Sequence, residues 1–211
     1  MADALPAFLD AAATATGLLA RPELAMHWDA GSVLAEFGVA ALAGHLLRGM
    51  TTVEGYLAGP EPDEAGLSAG SYFATIIRSV DIDAPANQAV RLRGAETAAG
   101  GPLALAEDAR AALARLPAEL AGVPSGRRLR VAGGLVLTLA EYLRTRVVEL
   151  VVHSDDLALS IGVDLTPPEP ATCQVAIGTL VDVARIRHGD LAVLRALARR
   201  ERDQVAALRV L

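Results

Sequence analysis

Aromatic residues make up only 3% of the chain, and lysine is absent, so all 19 basic residues are arginine. A core with so few rings is filled by Ala, Leu and Val, side chains that suit closely packed helices. The arginine-only usage reads as a GC-rich coding bias and carries no chemistry of its own. The single cysteine, Cys173, excludes an internal disulfide and fits a reducing compartment. It lies in the apolar run Thr172 to Val175 and reads as an inert packed thiol, not a nucleophile. No apolar segment is long and uninterrupted enough to span a bilayer. No basic stretch followed by an apolar run marks a secretory leader. A cytoplasmic protein with no membrane partner is therefore expected. The formal net charge of −6 argues against non-specific binding to nucleic acid or to an anionic membrane.

What is present points to a folded helical chain. Hydrophobic residues account for 53% and charged residues for 21% of 211 positions, enough for one sizeable core. Apolar periodicity predicts helices over Leu5 to Ala20, Val39 to Leu57, Tyr72 to Val80 and Ala84 to Ala99. A further helix over Leu103 to Leu120 is kinked or shortened at Pro117. The residues after the first helix, including His27, Trp28 and Ser32, read as a loop. One short extended piece is allowed between Pro124 and Gly134. Thr138 and Glu141 form a capping box, starting a helix that runs to about Ser160 and stops at Gly162. Ala171 to Arg187 is a helix interrupted by Gly178, and Asp190 caps a last one from Leu191 to about Arg202. The expected architecture is an all-α antiparallel four-helix bundle with additional C-terminal helices.

The helix after Thr138 carries a polar stripe through apolar surroundings. Arg146, Glu149, His153 and Asp156 are spaced three, four and three apart. At helical pitch they fall within an arc of roughly 80°. Val147, Val148, Leu150, Val151 and Val152 fill the rest of the circumference, so the helix is expected to be buried on most sides. Charges in such a place have to be neutralised, either by one another or by a cation. Glu149 and His153, one turn apart, present an oxygen and a nitrogen towards one point. His45, inside the second long helix, is the natural third ligand. Three such N/O donors suit Zn²⁺, with Ni²⁺ or Fe²⁺ also acceptable. Spacing alone favours a purely structural Arg146–Glu149/His153–Asp156 network over a metal.

Two stretches together resemble the mycothiol-dependent maleylpyruvate isomerase group of the DinB/YfiT-like superfamily. The pattern Arg-x2-Glu-x3-His-x2-Asp-Leu stands in full as Arg146, Glu149, His153, Asp156 and Leu157. Upstream, Ser32, Phe37, Val39 and Gly44-His45-Leu46 match the approach to the group's first histidine, with Phe37 where Trp is usual. The resemblance implies a DinB-like bundle over residues 1–166 holding a divalent metal, commonly zinc, on His45, Glu149 and His153. It further implies that Asp156 and Arg146 support the ligands, and that the cosubstrate is the thiol mycothiol. In the isomerases the thiolate adds to a double bond, the bond rotates, and elimination follows. Those enzymes carry a separate mixed α/β C-terminal domain, whereas residues 167–211 here read as a helical extension packed on the bundle.

The expected function is therefore a metal-dependent, thiol-using isomerase or S-transferase acting on a small electrophile. Arg48, on the face of His45, is a candidate to meet an acidic substrate, and Arg146 and Asp156 complete the catalytic set. The alternative is a non-catalytic bundle that binds a metal or small ligand. A homodimer is possible on an Ala/Leu/Val-rich helical surface. Weaker candidates are Tyr142 on the stripe, His27 and Trp28 near a pocket mouth, and the basic run Arg127, Arg128 and Arg130.

Overall fold

The structure, a computed structural model, describes residues 3–77, 84–198 and 208. Among these, nine helices and one hairpin follow in the order α1 (Ala4–Leu19), α2 (Pro22–Met26), α3 (Val39–Leu57), α4 (Ala69–Ile76), α5 (Pro85–Thr97), α6 (Gly101–Leu120), β1 (Arg128–Arg130), β2 (Val136–Thr138), α7 (Leu139–Ile161), α8 (Pro170–His188) and α9 (Asp190–Ala198). Four of them close a ring. α1 packs on α6 and α7, and α3 packs on the same two, so helices α1 and α3 face each other across the diagonal. The all-α bundle expected from periodicity is what the chain forms.

Alanine makes the ring tight. Ala4, Ala7, Ala11, Ala12 and Ala15 are buried along α1, where α6 and α7 approach its backbone closely. α7 supplies the larger wall with Leu139, Leu143, Val147, Val148, Leu150, Leu157 and Ile161, all buried. Burying each such Leu, Val or Ile contributes about 2 kcal/mol before entropy is counted. α8 covers α7, α4 and α1, and α9 packs on α8. Val175, Ala176, Val183, Ala184 and Val193 of these two helices join the same hydrophobic core as the bundle. No helix among the described residues is long and apolar enough to cross a membrane.

α5 lies against α3 with no side chains between them at one point. A Cβ placed on Gly44 would stand 2.1 Å from the Gly94 carbonyl oxygen, and one on Gly94 would stand 2.3 Å from that of Ala41. Glycine is required at both positions because the two main chains touch. This contact fixes the turn of α3 that carries His45.

Several element readings are corrected. Pro117 neither kinks nor ends α6, which stays helical to Leu120. It sits in the last turn, where the missing N–H costs one bond. Gly178 does not interrupt α8, because it is on the exposed face while Val175, Ala176 and Thr179 are buried on the other. The stretch after α1 contains the short helix α2, started by Pro22. The extended piece is half of a hairpin: Arg128 pairs with Thr138, Leu129 with Leu137 and Arg130 with Val136. Its turn passes through Gly133 and Gly134 at φ of 77° and 75°, conformations that glycine adopts freely. Residues 78–80 and 199–202, included in two helix readings, lie outside the described residues.

Candidate metal centre

The capping chemistry at Thr138 starts the site. The Thr138 hydroxyl accepts the Glu141 amide at 3.3 Å, as a capping box requires. The reciprocal half is absent. The Glu141 carboxylate instead accepts the Ala69 amide at 2.7 Å. One residue of α7 thus caps α4 and fixes α4 beside it. α7 then runs unbroken to Gly162, whose left-handed φ of 69° closes the helix.

α3 and α7 pack side by side, and their facing stripes bring three ligating groups together. Ligating atoms of His45, Glu149 and His153 all lie within 4.8 Å of one another. Glu149 Oε2 is 2.9 Å from His45 Nε2 and 3.4 Å from His153 Nε2. On its far side, His153 Nδ1 meets Asp156 Oδ2 at 2.9 Å. The two imidazoles stand edge to face with centroids 5.0 Å apart, and Phe37 adds an edge contact to His45 at 6.0 Å. The three side chains are 17 to 23% exposed, so the cluster is sunk but open on one side.

A loop closes over this end. Gly31 and Gly38 form an isolated bridge, and the Ser32 amide donates to the Phe37 carbonyl at 3.0 Å. Glu36 takes a φ of 59° to make the bend. The Val33 amide donates to Ser160 Oγ at 3.0 Å, and Ser160 in turn donates to the Asp156 carbonyl at 2.6 Å. The Ser32–Phe37–Val39 stretch therefore positions Phe37 on His45 and ties the loop to the turn that holds Asp156.

The charges are strongly coupled. Burial alone would raise Glu149, but hydrogen bonds from His153 and His45 and the nearby Arg146 outweigh it and hold the carboxyl well below its ordinary range. Burial would likewise lower His153, yet the Asp156 and Glu149 carboxylates on its two nitrogens push it up to about 9. The donor set fits a divalent ion. It has one carboxylate oxygen and two imidazoles, with a carboxylate fixing the Nδ1–H of His153 so that Nε2 is directed inward.

One turn below Glu149 the seam changes character. Arg146 donates from Nε to Thr145 Oγ1 at 3.1 Å, and its Cζ lies 4.9 Å from the Tyr142 ring centroid. The Tyr142 hydroxyl is 2.8 Å from Thr52 Oγ1, and its ring meets Tyr56 edge to face at 5.4 Å. Burial pushes the phenol of Tyr72, on α4, up to about 12. Arg146 makes no ion pair within 4.0 Å of a carboxylate among the described residues, so the Arg146–Glu149 half of a structural network is not formed.

Among the described residues the remaining candidates make no hydrogen bond to the three ligating groups. The Arg48 side chain makes no hydrogen bond or ion pair among the described residues, and none links it to the three ligating groups. Arg127 donates to the Leu57 and Gly59 carbonyls, while Arg128 and Arg130 pair with Glu61 and Glu64. The basic run thus ties the hairpin to the end of α3. Trp28 packs partly buried against the core, and His27 Nδ1 bonds the Glu23 carbonyl. Cys173 is half-buried with its thiol 3.7 Å from the Pro168 carbonyl. Sequence reasoning did not single out Thr52, Tyr56 or Tyr72. The first two follow His45 by seven and eleven residues on one face of α3, a legible signal, whereas Tyr72 comes from a separate short helix.

The family model for the mycothiol maleylpyruvate isomerase N-terminal domain matches residues 8–158. The chain belongs to that family. No curated protein and no solved structure matches it. The family match spans α1 to most of α7 and takes in every residue of the triad, together with Asp156, Arg146 and Arg48. It ends before α8 and α9.

Proposed function

We propose that this family member is a divalent-metal, thiol-using isomerase or S-transferase acting on a small electrophile, with mycothiol as the thiol. The observation that carries the reading is the convergence of His45, Glu149 and His153 from two helices to within 4.8 Å, with Asp156 fixing the outer nitrogen of His153. Zinc is the metal that this donor set favours, with nickel or iron acceptable. A bound divalent ion would favour the thiolate over the thiol at neutral pH. The protein's residues do the rest. Asp156 keeps the imidazole of His153 in one tautomer. Glu149, already ionised, needs no proton removed before it can serve as a ligand. Phe37 and the loop from Gly31 to Gly38 shield one side of His45 from water. The fitting reaction class is addition of a thiolate to an activated double bond. Rotation and elimination then give isomerisation, while release of the adduct gives transfer. We assign residues 1–166 to the metal-binding bundle and 167–211 to an extension, in keeping with α8 packed on α7.

A non-catalytic metal- or ligand-binding bundle is the second reading. It is favoured by the hydrogen bonds His45–Glu149 and His153–Asp156, which already satisfy the cluster internally.

Elemental analysis tests both. Protein purified without a metal-affinity tag should carry near-stoichiometric metal, lost in His45→Ala and in His153→Ala. A wild type that takes up no metal even after soaking in zinc overturns the reading. Metal-loaded protein that turns over no electrophile with any thiol leaves the binding bundle as the function.

A further inference from the structure

The loop at the His45 end of the site is one self-contained piece on a narrow neck. Gly31 and Gly38 form the isolated bridge at the neck. Beyond it the Ser32 amide donates to the Phe37 carbonyl at 3.0 Å, and the Phe37 amide donates to the Leu34 carbonyl at 3.2 Å. The Leu34 amide donates to Ser32 Oγ at 3.1 Å. Segment 32–37 therefore keeps its shape from within and can move as a body. Space does not demand glycine at the neck. A Cβ on Gly31 would meet nothing within 4 Å, and one on Gly38 would meet the Ala30 carbonyl oxygen at 3.7 Å, an ordinary contact. What glycine adds there is backbone freedom.

Among the described residues, one hydrogen bond leaves that segment: the Val33 amide donates to Ser160 Oγ at 3.0 Å. Leu34 and Phe37 add partly buried apolar contact. Ser160 is half-buried in the last turn of α7, and its own hydrogen goes to the Asp156 carbonyl at 2.6 Å. A serine hydroxyl has one hydrogen to give and two lone pairs to offer. Its commitment to Asp156 keeps a lone pair aimed at Val33 whether or not the loop is down. The bond also spans the site. On one side of it Phe37 rests edge-on against His45, with centroids 6.0 Å apart. On the other, Asp156 holds Nδ1 of His153 at 2.9 Å. Glu36 sits at a φ of 59°, a conformation that a residue with a side chain holds only while its surroundings enforce it. Strain in the closed loop and a single polar tether leave an open form within reach.

We propose that residues 32–37 are a gate over the candidate metal centre and that the Ser160 hydroxyl is its latch. With the latch made, Phe37 covers His45. With it broken, the segment swings on Gly31 and Gly38 and the ion passes. Ser160 is a positioning residue that acts through Phe37. The inference rests on the metal–thiol reading above for what passes the gate; the gate itself is testable without a metal.

The test follows zinc in both directions, uptake by the metal-free protein and release to an excess of chelator. Losing one hydrogen bond shifts a closed–open equilibrium by about 3- to 10-fold. Ser160→Ala should speed uptake and release alike by that factor, leaving the affinity within about 2-fold of wild type. Ser160→Thr keeps the hydroxyl and should restore the wild-type rates. In a Phe37→Ala background, Ser160→Ala should add nothing, because the latch has no ring left to hold. Faster release with unchanged uptake would mean that Ser160 supports the ligands through Asp156, and it overturns the gate. So do unchanged rates, a threonine variant as fast as the alanine one, or the full alanine effect without Phe37. Protein that takes up no zinc defeats the metal reading. The gate is then decided on that metal-free chain by acylation of His45 with diethyl pyrocarbonate, resolved from the other three histidines by mass spectrometry. His45 should react about 3- to 10-fold faster in Ser160→Ala than in wild type or Ser160→Thr, and equal rates overturn the gate.

Discussion

Two consecutive turns of α7 face the same neighbour, α3, and differ in chemistry. Around Glu149 and His153 the groups are rich in acceptors, and both nitrogens of His153 meet a carboxylate. Around Arg146 the groups are donors, and the Tyr142 ring lies 4.9 Å from a guanidinium that has no carboxylate within ion-pair distance among the described residues. The first turn satisfies itself through its own hydrogen bonds. The second cannot satisfy itself from the described residues. A single helix face thus separates a cluster of acceptors from an unpaired cation by about 5 Å of axial rise.

The comparison is broken most severely at the acceptor end. Glu149→Gln removes the oxygen shared by both imidazoles, and metal content should fall to a small fraction of the wild-type value, read by elemental analysis. Next comes the scaffold. Gly94→Ala drives a methyl into the Ala41 carbonyl, and we expect a loss of about 3 kcal/mol in chemical denaturation, with the helical circular dichroism retained at low denaturant. Asp156→Asn keeps the shape but removes the charge on His153 Nδ1. Metal affinity should drop roughly 10- to 100-fold by competition with a chelator.

The same variant tests the proton balance of the metal-free chain. His153 is raised from 6.5 to about 9, so its contribution to stability is complete below pH 6.5 and is lost as pH rises through about 9. Glu149 is lowered, so its contribution is complete above pH 4.5 and is lost only in stronger acid. Thermal melts of the metal-free protein should decline on the alkaline side, and Asp156→Asn should move that decline to lower pH. The smallest effect belongs to the donor end. Thr52→Val leaves the Tyr142 hydroxyl without its partner and should cost about 1 kcal/mol of stability with metal content unchanged.

Much of this arrangement was legible in the chain. α3 and α7 declare themselves by periodicity and by clean ends at Gly59-Pro60 and Gly162, and the stripe on α7 follows from spacing alone. Local rules went wrong where tertiary context decided. Glu141 has the position of a capping-box residue, but its carboxylate serves α4, where it accepts the Ala69 amide. Pro117 and Gly178 read as breakers, yet a last-turn position and an exposed face make each cheap. Tyr72 could not be found from its own segment, since its place depends on a cap supplied from about 70 residues away.

The contact of Gly44 with Gly94 has a mechanical meaning. At Gly49, by contrast, α3 meets the Leu150 side chain, which can rotate and absorb small shifts. Between Gly44 and Gly94 main chain rests on main chain, and a methyl on Gly94 would come within 3.5 Å of the His45 amide nitrogen. There is no cushion at that point, so a displacement of α5 reaches the backbone of the first histidine undamped.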